Sequence, residues 1–314
     1  MNLTDLDSRR QHHHLGELTS HITNDGSLSL SNSYYKESFH SYTGAIKEAK
    51  DKFVNPSQVN RFLKSKQLRV LDICFGIGYN SACLLEELKD TPINMNWWGL
   101  EIDSRPLKIA LSDSIYRRNW SPSILKVLTS INDSSEWRIQ RGHGILLWGD
   151  AREKLHLIPN TLKFDLIFHD AFSPQKCPQL WSEEFLHNLA RKLAPNGRFI
   201  TYSSSAAVRG SLKRAGLQLN TIIPITAKEK RWSSGTLAIR PSQENDPPNT
   251  STTWRCLSKM EKEHLLTSAG IPYRDPNGKS NATEIHNRRR IEQENRNFES
   301  TNSWKKRWES SQSG

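Results

Sequence analysis

The sequence predicts an α/β fold: a mostly parallel sheet with helices on both faces and an antiparallel strand at its edge. Three observations carry this. Compact apolar segments recur between residues 68 and 239, several of them ending at Gly or an acidic residue. Patterns with three- and four-residue apolar spacing separate them, which is the rhythm of a parallel sheet covered on both faces. The last two segments, 218–223 and Thr236–Ile239, have no helical pattern between them, which suits an antiparallel strand at the edge.

The elements follow in order. Residues 1–20 are polar and are expected to form a flexible leader. Asn24-Asp25-Gly26 is a turn signal, and 27–30 alternates Ser and Leu as a hairpin strand does. Thr43 is expected to cap a helix with Ile46, Ala49 and Phe53 on one face, ended by Pro56. Val59, Phe62 and Leu63 mark a further short helix, so 21–67 reads as a hairpin-and-helix extension. The first sheet strand covers 68–73, followed by a glycine turn and a helix carrying Ala82, Leu85 and Leu88. The second, 97–102, has Glu101 and Asp103 at its C-terminal end; the third, 145–148, leads to Gly149-Asp150; the fourth, 164–168, leads to His169-Asp170. Ser182 caps the next helix, with Glu183 and Glu184 where the helix dipole favours carboxylates. Phe185, Leu186, Leu189 and Leu193 form its buried stripe, and Pro195-Asn196-Gly197 ends it. A fifth strand at 199–202 and a helix at 206–215 precede the last two strands.

One domain over 21–240 is therefore expected, followed by a linker and a polar, basic tail over 241–314. Residues 241–253 are rich in Pro, Ser, Asn and Thr, and 254–268 suits a short helix. From Glu284 the chain is almost wholly polar, with Arg288-Arg289-Arg290 and Lys305-Lys306-Arg307, and is expected to be disordered or to fold on a partner.

With 44 Lys and Arg against 33 Asp and Glu, the 314 residues carry a formal charge of +11. A surplus of that size suits a polyanionic partner, of which nucleic acid is the commonest, and composition alone fits a basic surface kept for solubility equally well. No apolar run approaches the roughly 18 residues a membrane helix needs, and residues 1–10 have no signal-peptide core. A cytoplasmic protein is expected. Cys74, Cys83, Cys177 and Cys256 share no C-x-x-C spacing, so neither a metal site nor a disulfide framework is indicated.

Ligands of parallel α/β sheets sit outside the carboxyl ends of the strands. Those ends carry Asp72 with Gly76 and Gly78, then Glu101, Asp150 with Ala151, and Asp170. Gly76 and Gly78 let backbone approach a ligand and open the helix that begins beside Asn80, whose N-terminus favours negative charge. Glu101 is placed to accept both ribose hydroxyl protons, and Asp150 to accept an adenine amine. The same set would serve a nicotinamide dinucleotide, but Cys74-Phe75-Gly76-Ile77-Gly78-Tyr79-Asn80 lacks the third glycine of G-x-G-x-x-G. S-adenosyl-L-methionine is therefore the expected cofactor, and the sheet that of a class I (Rossmann-like) methyltransferase.

The stretch from His169 to Trp181, which reads HDAFSPQKCPQLW, resembles the D-A-F-x-P-x-K-x-P-x-x-W signature of the MnmC-like tRNA (5-methylaminomethyl-2-thiouridylate) methyltransferases. Thr23 to Leu28, Tyr35 to Glu48, Asp72 to Asn80, Leu193 to Gly197, Thr201 to Ser203, Val208-Arg209 and Ala215-Gly216 are similar to further segments of that family, so the likeness spans roughly residues 20–240. Asp72 stands where the family usually has Glu, and Cys74 where it usually has Gly. The resemblance implies methyl transfer from S-adenosyl-L-methionine to the 5-aminomethyl nitrogen of wobble uridine in the tRNA anticodon stem-loop. The bifunctional members also carry a flavin-dependent oxidoreductase half, for which no second dinucleotide fingerprint appears here; a stand-alone methyltransferase is expected. Asp170 then serves the cofactor site and aims the acceptor amine, while Phe172, Ser173, Pro174, Trp181 and Tyr202 line the place of the base. Arg117-Arg118, Arg209, Lys213-Arg214, Lys228-Glu229-Lys230-Arg231 and Arg288 to Arg290 are candidates for phosphate contact. Two other readings remain: an aminopropyltransferase-like enzyme acting on small amines, and a catalytically silent tRNA-binding protein, which Cys74 keeps open.

Overall fold

The computed structural model describes residues 15–223, 234–242 and 251–312, in two compact units, Met1–Leu157 and Ile158–Gly314. Among the described residues no helix is long and apolar enough to cross a membrane, and no group of three His, Cys, Asp or Glu side chains is placed to hold a metal ion.

The first unit opens with a three-stranded antiparallel sheet, β1 (Leu18–Ile22), β2 (Leu28–Asn32) and β3 (Glu37–Ser38). Its first turn is a hydrogen-bond hub. Asp25 Oδ1 accepts from the Thr23 hydroxyl at 2.9 Å and the Ser27 amide at 3.0 Å. Asp25 Oδ2 accepts from the Lys47 amide at 3.0 Å, and Ser27 Oγ accepts from the Ala45 amide at 3.0 Å. The helix Ala45–Ala49 is thus capped from a distant turn. Thr43, the expected cap, bonds only the exposed Ser41 hydroxyl, because Gly44 intervenes as the N-cap residue. The helix continues through a widened turn at Lys50–Val54 to Asn55–Ser57.

The larger sheet of this unit orders β4 (Gln67–Ile73), β5 (Asn94–Glu101), β7 (Gly142–Trp148) and, at the end, β6 (Glu136–Ile139). The first three run parallel; β6 returns antiparallel against β7. Val70, Leu71 and Ile73 of β4 are buried, as continuous apolar strands of a doubly covered sheet should be. Trp97 of β5 is buried across two neighbours that carry no side chain: a Cβ on Gly99 would lie 2.3 Å from the indole, and one on Gly144 of β7 would lie 2.7 Å from it.

The second unit orders β8 (Phe164–His169), β9 (Leu193–Thr201), β11 (Thr236–Ile239), β10 (Gln218–Ile222) and β12 (Trp254–Cys256). β8 and β9 are parallel, and the other pairings are antiparallel. The α/β expectation holds, but the antiparallel part is larger than one edge strand. β11 inserts between β9 and β10 instead of ending the sheet, and β12 pairs outside β10.

The polar tail is a second departure. Residues 254–312 form β12, the helices Lys259–His264, Ala282–Glu294 and Thr301–Gln312, and well-bonded turns. Single apolar residues spaced among polar ones hold them down: Trp254, Ile271, Tyr273, Ile285 and Trp304 are all buried. Trp304 stacks on His264 at 4.5 Å between centroids. Ser258 with Glu261 and Asn281 with Glu284 form two capping boxes; the first starts the short helix expected within 254–268, and the second a helix that the sequence pattern does not suggest.

Candidate active site

In the first unit, the carboxyl ends of β4, β5 and β7 bring together Asp72, Gly76, Gly78, Glu101 and Asp150. The turn after β4 is left-handed at three places: Cys74 has φ +64°, Gly76 +59° and Gly78 +86°. Glycine meets this demand without strain, whereas Cys74 adopts at a cost of about 1 kcal/mol a conformation that L residues avoid. Gly78 is the N-cap of the helix Tyr79–Leu88, so the positive end of that helix's dipole lies at the turn, which suits an anionic ligand. Asn80 is the helix's second residue and is half-buried.

Glu101 is buried and accepts three backbone N–H bonds: Oε2 from Gly76 at 2.7 Å, and Oε1 from Ile102 at 2.7 Å and Asp103 at 2.9 Å. It therefore braces the glycine turn. A carboxylate has about four acceptor sites, so one remains, on Oε2, and a bidentate grip on ribose hydroxyls requires these bonds to rearrange. Burial pushes its carboxyl above the usual range despite the amide donors. Asp103 faces Arg105 in a bidentate pair, with Nη2–Oδ2 at 2.6 Å, and Arg105 Nη1 donates to the Gly16 carbonyl at 2.8 Å. Asp150 caps the short helix Ala151–Lys154 through the Arg152 amide at 2.9 Å and is paired with the Arg152 guanidinium at 2.6 Å. Ala151, the helix's first residue, is buried.

Asp72 differs from these. Its Oδ2 accepts from Ser81 Oγ at 2.6 Å, while Oδ1 is buried without any hydrogen-bond partner. Burial drives its carboxyl up to about 7, with the nearby Glu101 charge adding to the effect. An orphaned acidic oxygen, a second acid and a helix N-terminus together fit a ligand that carries an ammonium, hydroxyl groups and a carboxylate. Those are the polar groups of S-adenosyl-L-methionine.

In the second unit, Asp170 directly follows β8 and is half-buried. The loop after it is pinned by three ring side chains. Tyr202 O–H donates to the Ala171 carbonyl at 2.9 Å, and Trp181 Nε1–H to the Phe172 carbonyl at 2.7 Å. His169 Nε2 bonds the Leu180 carbonyl at 2.9 Å, which makes it the protonated ring nitrogen. Burial lowers the His169 pKa to about 4, so the ring is neutral at pH 7. The Ser173 carbonyl accepts from the Lys176 and Cys177 amides, both at 2.8 Å, closing the turn. Phe172, Ser173, Pro174 and Tyr202 are half-buried. Trp181 is 0% exposed, with its ring 4.2 Å from His169 and edge-on to Tyr202 at 6.0 Å. Trp181, expected among the residues that line the place of the base, is instead a core residue that holds the loop.

The basic candidates divide in the same way. Arg209, expected to touch phosphate, is 1% exposed and bonds Glu261, Thr221, Thr236 and the Gly235 carbonyl. Arg289 bonds the Ile271 and Ala269 carbonyls and lies over the Tyr273 ring, and Arg288 bonds the Ser280 hydroxyl. Arg214 pairs with Glu183, and Arg290 with Glu294. Arg117, Arg118 and Lys213 are exposed. Lys228, Lys230 and Arg231 lie outside the described residues. Sequence reading missed Ser81 and Arg105, for which no local signal existed: Ser81 is nine residues from Asp72, and only the turn brings it back.

Comparison with known proteins agrees with this geometry. A family model described as S-adenosyl-L-methionine-dependent methyltransferase matches residues 118–235. An uncharacterised protein of Methanocaldococcus jannaschii is 31% identical over 260 residues, 81% of this chain and 66% of that protein. The tRNA 5-methylaminomethyl-2-thiouridine biosynthesis bifunctional protein MnmC of Campylobacter hominis is 28% identical over 194 residues, 60% of this chain but 28% of its own length. The crystal structure of MNMC2 from Aquifex aeolicus superposes with a TM-score of 0.73 at 27% identity, covering 93% of this chain and 92% of that one. The sheet is thus that of a Rossmann-like methyltransferase, and the cofactor is S-adenosyl-L-methionine.

Proposed function

We propose that this chain, which belongs to the S-adenosyl-L-methionine-dependent methyltransferases and is related to the methyltransferase part of MnmC, methylates the 5-aminomethyl nitrogen of wobble uridine in tRNA. The product is 5-methylaminomethyluridine or its 2-thio form. The observation that carries the reading is the loop after β8, where ring hydrogen bonds hold the Ala171, Phe172 and Leu180 carbonyls in a segment that resembles the family's signature.

When bound, the cofactor supplies an electrophilic methyl group on a sulfonium. Asp72, Gly76, Gly78, Asn80, Glu101, Asp150 and Ala151 are the residues that would hold it. The remaining work is to present the acceptor amine neutral and aimed. An alkylammonium has a pKa near that of Lys, about 10.4, and has no lone pair until it loses a proton. Asp170 accepts one amine N–H, which turns the lone pair away from the carboxylate. With a reference pKa of about 3.9, Asp contributes more by orientation than by basicity. The half-buried Phe172 flanks the extruded base, and the pinned loop keeps Asp170 and Phe172 from moving during turnover. The charge of +11, with Arg117, Arg118 and Lys213 exposed, serves phosphate neutralisation, so tRNA affinity falls steeply as salt rises.

The test is a methyl-transfer assay with labelled S-adenosyl-L-methionine and tRNA from cells that lack this methylation, read by nucleoside mass spectrometry. Label in 5-methylaminomethyluridine or its 2-thio form is expected. Unlabelled tRNA from a protein that binds the cofactor would refute the acceptor and leave the methyltransferase assignment standing.

A further inference from the structure

We propose that Ser81, backed by Trp97, is a positioning residue for the amino-acid end of the cofactor: it clamps one oxygen of Asp72 so that the other is presented to an ammonium group. The proposal rests on the cofactor assignment and is independent of the tRNA reading.

The clamp has a defined direction. Trp97 Nε1–H donates to Ser81 Oγ at 2.7 Å, and an indole nitrogen can only donate. The Ser81 hydroxyl therefore sends its single proton to Asp72 Oδ2, at 2.6 Å. All three side chains are buried, at 1%, 2% and 1% exposure for Asp72, Ser81 and Trp97. The relay is also built into the sheet. Gly99 and Gly144 are kept bare where the indole crosses them, and Phe75 of the glycine turn meets it edge-on at 5.4 Å.

What the clamp leaves over is Asp72 Oδ1, buried and without a partner. Leaving such an acceptor unpaired is costly, and native proteins rarely do so without a reason. Asp72 is the next-to-last residue of the strand that leads into the Gly76–Gly78 turn, and Ser81 lies in the first turn of the helix behind it. A donor arriving at this turn, above all a cationic one, would satisfy Oδ1 and stabilise the ionised carboxylate. The α-ammonium of S-adenosyl-L-methionine is such a donor. The adenosine part carries no cation, so the clamp should act on the amino-acid end alone.

Two probes separate these ends. S-adenosylhomocysteine carries the α-ammonium, and 5′-methylthioadenosine keeps the nucleoside and thioether without it. Calorimetric titration of wild type, Ser81→Ala and Trp97→Phe with both is the experiment. Ser81→Ala should weaken S-adenosylhomocysteine by about tenfold, the usual scale for a lost bond to a charged group, and leave 5′-methylthioadenosine unchanged. Trp97→Phe keeps the ring and frees the Ser81 proton to turn away; about a threefold loss with the same selectivity is expected, and this variant decides the matter if Ser81→Ala does not fold. Equal loss for both probes, or no loss for either, overturns the proposal while wild-type binding of S-adenosylhomocysteine keeps the cofactor assignment. Wild type that binds neither probe overturns both.

Discussion

Removing the Glu261 carboxylate should unfold much of what holds the C-terminal segment to its sheet. Glu261 Oε1 accepts from Arg209 Nη1 at 3.1 Å and Thr221 Oγ1 at 2.7 Å; Oε2 accepts from Arg255 Nη1 at 2.7 Å and the Ser258 amide at 2.9 Å. Arg209 in turn bonds Thr236 Oγ1 at 2.9 Å, Thr221 Oγ1 at 2.7 Å and the Gly235 carbonyl at 3.0 Å. The two side chains of the pair are 1% and 0% exposed, so Glu261→Ala leaves a guanidinium buried without its counter-charge. That situation costs about 3–5 kcal/mol, and loss of the capping box adds about 1 kcal/mol. The assay is urea denaturation of the single variants and of Arg209→Met/Glu261→Leu, which replaces both charges with apolar groups. The double variant should lose clearly less than the sum of the singles, because no charge is stranded in it. A cost for Glu261→Ala below about 1 kcal/mol, or a double variant as unstable as that sum, would refute the reasoning. The pair also has an acid limit. Burial pushes the Glu261 carboxyl up, but hydrogen bonds from Ser258, Thr221 and Arg255 and the Arg209 charge outweigh it and hold the carboxyl well below the usual range. Its contribution is complete above the unfolded value of about 4.3 and is lost as pH falls below it.

Asp170→Ala should abolish methyl transfer while urea stability stays near wild type, and wild-type rates in this variant would remove Asp170 from the mechanism. His169 should make the protein lose stability on mild acidification: with the folded pKa at about 4 and the unfolded one near 6.5, the unfolded chain takes up a proton that the native one refuses. Stability is therefore full above pH 6.5 and declines toward pH 4 by about 3 kcal/mol from this ring, and a His169→Phe variant that keeps the whole slope would show the slope to originate elsewhere. Tyr202→Phe removes the bond to the Ala171 carbonyl and should cost about 1 kcal/mol, with a larger rise in KM for tRNA than in any cofactor constant; equal changes in both would mean the loop is not specific to the acceptor.

How far the residues alone carry can be judged element by element. Strong one-dimensional signals came through: apolar runs such as that of β4, the glycine turn, acids at strand ends, and Ser182 with Glu183 and Glu184 opening a helix whose cap the Phe185 amide confirms. These depend on neighbours a few residues away, so spacing expresses them. The short helix within 254–268 came through, but β12 and the helices Ala282–Glu294 and Thr301–Gln312 did not, because each is anchored by single buried side chains among polar ones, Trp254 on a strand paired with β10, Ile285, and Trp304 against His264, whose partners the local pattern does not show.

The same division runs through the site. Residue type and order single out Asp72, Gly76, Gly78, Glu101 and Asp170 as candidates for binding a nucleoside cofactor. What each side chain is free to do depends on which hydrogen bonds are already made, and those come from residues 9 to 31 positions away: Ser81 on Asp72, Gly76 on Glu101, Tyr202 on the Ala171 carbonyl. Burial likewise separated residues that read alike. Arg209 and Arg118 are both basic in the chain, yet one is sealed into the core by Glu261 and the other faces solvent. Periodicity records the backbone's choice of helix or strand, because that choice is local; the protonation, pairing and exposure of a polar group are collective, and are settled only when the chain has packed.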